Sequence, residues 1–96
     1  MAYTGTPYRP GTTQVVAYTG THGVISNAVG GSGSVVIRVW LSTAGYIAIG
    51  AAPTATTSDI PMPANTPEYF IVSSGDKVSA IQASAGGNLH VTAMSR

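Results

Sequence analysis

A chain of 96 residues has room for one compact core and no second catalytic domain. Only 7% of its residues are charged, where an ordinary soluble domain carries roughly 25%, and the net charge of +1 is spread over Arg9, Arg38, Lys77 and Arg96 without a basic run that could neutralise a phosphate backbone. Cysteine is absent, which removes disulfides and thiolate metal sites, and no stretch approaches the ~18 apolar residues of a membrane span. The expectation is therefore no nucleic-acid and no membrane partner. A surface of Thr, Ser, Gly and Ala, with few charges to oppose association, suits a part of an assembly better than a free monomer.

Residues 1–10 hold no charged segment followed by an apolar one, so the chain is expected to be made and kept in the cytoplasm unless a particle carries it out. Residues 1–33 are rich in Gly, Pro, Ser and Thr and read as an extended N-terminal arm, with 13–18 as a possible strand. The echo of Tyr3-Thr4-Gly5-Thr6 in Tyr18-Thr19-Gly20-Thr21 reads as two similar turns. Gly30-Gly31-Ser32-Gly33 is a flexible joint.

From Ser34 onward the pattern is β. Residues 34–41 are apolar on both faces, Val35, Ile37, Val39 and Leu41 against Val36 and Trp40, and read as a central strand. A Gly45 turn leads to a strand over 45–51, with Ile47 and Ile49 on one side. Pro53, Pro61, Pro63 and Pro67 make the next stretch a long surface loop, because each removes a backbone donor. Strands over 67–73, 77–83 and 88–94 follow, joined by turns at Ser74-Gly75-Asp76 and 84–87. The sets Val35/Ile37/Val39, Ile47/Ile49, Ile71/Val72 and Leu89/Val91 are expected inside. No helical periodicity appears. The expected fold is all-β: a small antiparallel β-sandwich or jelly-roll-like barrel over 34–96, preceded by the 1–33 arm.

Catalytic chemistry finds little support. His22 and His90, with Asp59, Glu68 and Asp76, show no ligand spacing, and a solvated or hydrogen-bonded histidine explains each imidazole better than a metal does. There is no G-x-S-x-G, and a nucleophile elbow needs a strand-to-helix turn. Three scattered carboxylates offer no cleft for an extended sugar. The chain is expected not to be an enzyme and to use no cofactor and no metal. Trp40, Tyr46, Tyr69 and Phe70 are able to form an aromatic platform for carbohydrate or bases, but aromatics on adjacent strands are more often core or subunit interface.

The run Tyr46-Ile47-Ala48-Ile49-Gly50-Ala51-Ala52-Pro53-Thr54-Ala55-Thr56, with Pro63-Ala64, Glu68-Tyr69-Phe70, Gly75-Asp76-Lys77-Val78, Ile81-Gln82 and Leu89-His90-Val91-Thr92, resembles small proteins encoded among the structural genes of tailed bacteriophages. The resemblance covers residues 35–94. It implies a virion component, such as a capsid decoration (cement) protein or a small head or tail part, and carries over no catalytic or metal-binding residue. The expectation that follows is a decoration protein on the capsid surface that binds the major capsid protein, self-associates as a homotrimer, and contacts its partners through Tyr3, Tyr8, Arg9 and Tyr18 of the arm. Two alternatives stand beside it: another phage assembly part, such as a head-to-tail adaptor, tail hub or fibre-base module, and a glycan- or receptor-binding β-module.

Overall fold

A computed structural model describes residues 9–30 and 33–95. Among the described residues eight strands form two layers: β1 (Arg9–Tyr18), β2 (Gly23–Val24), β3 (Ser34–Leu41), β4 (Gly45–Gly50), β5 (Ile60–Met62), β6 (Glu68–Ser73), β7 (Lys77–Gln82) and β8 (Gly87–Ser95). Sheet A has the order β1-β8-β3-β6 and sheet B the order β2-β7-β4-β5, with every pairing antiparallel. The ladder pairs β4 with β5, β3 with β6, β2 with β7 and β1 with β8. The chain is thus a long ribbon, doubled back at the loop after β4 and wound so that successive pairs fall alternately in sheets B and A.

Alternation along the strands places one apolar set between the layers. Ile37, Val39 and Leu41 of β3, Leu89 and Val91 of β8, Ile47 of β4 and Val78 and Ala80 of β7 are buried in one cluster, which Tyr18, Ile25 and Val29 complete. Each such aliphatic side chain contributes about 1.5–3 kcal/mol when fully removed from water. The turn between β6 and β7 is set by Gly75 at φ 95° and by the Asp76 carboxylate, which accepts the Ser73 N–H at 3.0 Å.

The expected jelly-roll-like barrel with an extended N-terminal arm is corrected by two findings. Among the described residues neither sheet closes on itself; each is open, with two edge strands. Residues 9–18 form the β1 edge strand of sheet A, in register with β8 from Thr13↔Thr92 to Tyr18↔Gly87. The strand looked arm-like because an edge strand leaves most of its side chains exposed, so Thr and Gln are tolerated along it. A register shift between Pro10 and Thr13 further breaks its alternation. Two smaller expectations also change. The stretch 53–67 includes β5, an edge strand, where a sheet tolerates Pro61. Ile71, expected inside with Val72, is 75% exposed.

Candidate functional site: the outer face of sheet A

The two sheets treat their outer faces differently. On sheet B, Ser79 points away from the core between Val78 and Ala80, and the 51–59 loop folds over it. The Ala55 N–H donates to Ser79 Oγ at 3.0 Å, and both residues are buried. Asp59 holds that loop in shape, its Oδ2 accepting from the Thr56 N–H at 2.7 Å and the Thr56 hydroxyl at 3.1 Å. The 51–59 loop therefore covers sheet B around Ser79.

Among the described residues nothing comparable lies over sheet A. The register sets Val36 between Met94 and Ile71, Arg38 between Thr92 and Tyr69, and Trp40 opposite His90, which in turn faces Val15. All alternate with core residues and so share the outer face. Val15 is 57% exposed, Tyr69 55% and Ile71 75%, three of the four large hydrophobic side chains exposed among the described residues. The Trp40 indole meets the His90 ring edge-on, centroids 4.8 Å apart. Thr13 and Thr92 link β1 to β8 by a 2.8 Å hydroxyl pair. Arg38 is the one charged side chain that the register places on this face among the described residues. A sheet face with this composition, open to water, is what an interaction surface requires.

Of the four sequence-expected contact residues, the structure describes Arg9 and Tyr18. Tyr3 and Tyr8 lie outside the described residues. Arg9 is exposed at the start of β1 opposite Ser95. Tyr18 is 1% exposed, and its hydroxyl donates to the Thr43 carbonyl at 2.6 Å and accepts from the Thr43 N–H at 3.3 Å. Of the aromatics weighed as a platform, Trp40 and Tyr69 share the outer face of sheet A, whereas Phe70 turns to the core and Tyr46 belongs to sheet B. The outer face itself was present in the sequence as the second apolar side of 34–41, where Val36 and Trp40 alternate with the core set.

Chemistry finds no centre among the described residues. No three His, Asp or Glu side chains converge as a metal would need. A cleft of about 350 Å³ beside Gln14 and Asn27, and another of about 410 Å³ between Tyr46 and Pro61, contain no carboxylate, imidazole or ammonium. Compared with known proteins, the chain matches no family model, no curated protein and no solved structure.

Proposed function

We propose that the chain is a structural subunit that seats the outer face of sheet A on a larger protein shell, as a capsid decoration protein on the head of a tailed phage. The observation that carries the docking half of this reading is the contrast between the layers: the chain folds its 51–59 loop over Ser79 at the middle of sheet B and leaves Val15, Tyr69 and Ile71 exposed on sheet A. The resemblance of residues 35–94 to small phage structural proteins supports a virion as the particle. Arg38 and Lys77 sit on different sheets, which supports a protein partner over a nucleic acid. The partner of this reading is the major capsid protein, and the role is structural, not catalytic.

Co-sedimentation with phage heads stripped of their small outer proteins tests it. The purified chain is expected to bind, and Val15→Glu, an exposed change on the outer face of β1, to weaken binding at least tenfold while leaving the melting temperature unchanged. Trp40 is the one tryptophan and lies on the docking face, so its emission should shift to the blue on binding. Binding confined to necks or tails, or quenching of Trp40 by free sugars without any binding to heads, would contradict the reading.

A further inference from the structure

Each open sheet leaves two edges, and three of the four carry a feature that discourages strand addition. The β1 edge has Pro10 and a register shift, and the Gln14 side chain on it is engaged with the Asn27 backbone, donating to its carbonyl at 2.9 Å and accepting its N–H at 3.0 Å. β2 is two residues long, and β5 has three residues including Pro61. β6 has six residues, no proline, no bulge and no cation, and no described residue pairs with its outer edge. Such an edge is a template for another strand.

The direction of its free groups follows from the ladder. In an antiparallel pair, hydrogen-bonded and non-hydrogen-bonded residue pairs alternate. The Ser74 N–H donates to the Gly33 carbonyl, so Val72 and Phe70 turn their backbone groups toward β3, while Ser73, Ile71 and Tyr69 turn theirs outward. Ser73 agrees with this: its N–H and carbonyl are taken by the Asp76 carboxylate and the Asp76 N–H. On the β8 side, the Ser42 N–H donating to the Asn88 carbonyl turns Trp40, Arg38 and Val36 toward β8, which leaves the alternate residues of β3 for β6. The open edge therefore offers the N–H and C=O of Tyr69 and Ile71, the two large hydrophobic side chains exposed on this strand.

We infer that β6 pairs with β6 of a second copy across a two-fold axis centred on Phe70. Tyr69 then lies opposite the partner's Ile71 and Ile71 opposite the partner's Tyr69, so every outward N–H and carbonyl of both residues is satisfied in both copies. The outer face gains two aromatic–β-branched cross-strand pairs, a favoured combination. The neighbouring registers fail on backbone grounds. A two-residue slip one way sets Tyr69 against Ser73, whose groups are already bonded to Asp76. The opposite slip sets Ile71 against Pro67, which has no N–H. In the centred register Glu68 faces the partner's Val72, so no like charges meet. Sheet A becomes an eight-stranded sheet whose two copies of Ile71, Tyr69 and Val36 form one continuous apolar face.

This contact is separate from shell binding: a monomer that decorates heads would overturn it and leave the docking face intact. The test is sedimentation velocity on the full chain across a concentration series, with amide hydrogen exchange at matched concentrations. The expected result is a monomer–dimer equilibrium in which the Tyr69 and Ile71 amides slow on dimerisation and those of Phe70 and Val72 do not change. Ile71→Pro deletes an outward N–H and leaves the β3–β6 ladder complete, so it should stay folded and become monomeric. Ile71→Lys, which keeps the N–H and puts a charge at the edge, should do the same and stands in should the proline variant unfold. A wild-type chain that remains monomeric at millimolar concentration, a trimer, or a dimer that persists in both variants would overturn the inference.

Discussion

The hydroxyl of Tyr18 joins three separate parts of the chain. It bonds the backbone of Thr43 in the turn after β3, and Thr43 in turn donates through Oγ1 to the Ala85 carbonyl in the loop before β8, at 2.9 Å. Gly87 allows this closure, because a Cβ there would lie 2.5 Å from Thr43 Oγ1 and 2.6 Å from Ser42 Oγ. Removing the hydroxyl while keeping the ring leaves the Thr43 carbonyl without its donor, so Tyr18→Phe should cost about 1–2 kcal/mol. For a domain of this size that lowers the melting temperature by roughly 4–8 °C per kcal/mol. Gly87→Ala at the same corner should cost about 1–3 kcal/mol by overpacking. Thermal unfolding followed by circular dichroism reads both, and variants that melt with the wild type would show that the corner contributes little.

At the scale of the strand, β1 and the segment that follows β2 belong to the core that the later strands build. Tyr18, Ile25 and Val29 are buried in the same cluster as Leu89 and Val91, and the Ile25 and Val29 N–H groups donate to the Val78 and Asp76 carbonyls. Deleting residues 1–33 strips β8 of β1, one of its two neighbours, and opens one side of the core. The truncated chain is expected to lose its cooperative thermal transition and to aggregate through the bared β8 edge. A truncation that melts as sharply as the whole chain would show that 34–95 folds alone. Strands β3, β4, β6, β7 and β8 were legible because each is at least six residues long, rich in apolar residues and set between Gly or Pro turns. β2 and β5, at two and three residues, are too short to carry a period. At β6 the period separates Tyr69 and Ile71 from Phe70 and Val72 but does not say which set faces the core. Burial in the assembled layers decides that.

Across the whole molecule, the strand order brings residues 9–18 onto 87–95, so the outermost pair forms only after the ribbon has wound. Long-range pairing of this kind makes folding slow relative to helical domains, in the millisecond-to-second range. The same winding decides which surface is left open. The Ala55 N–H fixes the 51–59 loop over Ser79 of sheet B, while on sheet A the outer face keeps Val15, Tyr69 and Ile71 exposed. Half of this is in the sequence: 34–41 is apolar on both sides, the pattern of a central strand. β3 is indeed flanked by β8 and β6, yet its second side, Val36 and Trp40, faces outward. Which side meets solvent depends on how the layers stack, and that lies beyond any local pattern.

The central claim, that the outer face of sheet A is the docking surface, is tested most directly by electron cryo-microscopy of phage heads incubated with the purified chain. Val15, Trp40 and Ile71 are expected against the major capsid protein, with the 51–59 loop of sheet B facing solvent. A bound chain that leaves sheet A in solvent and meets the shell through sheet B would contradict it.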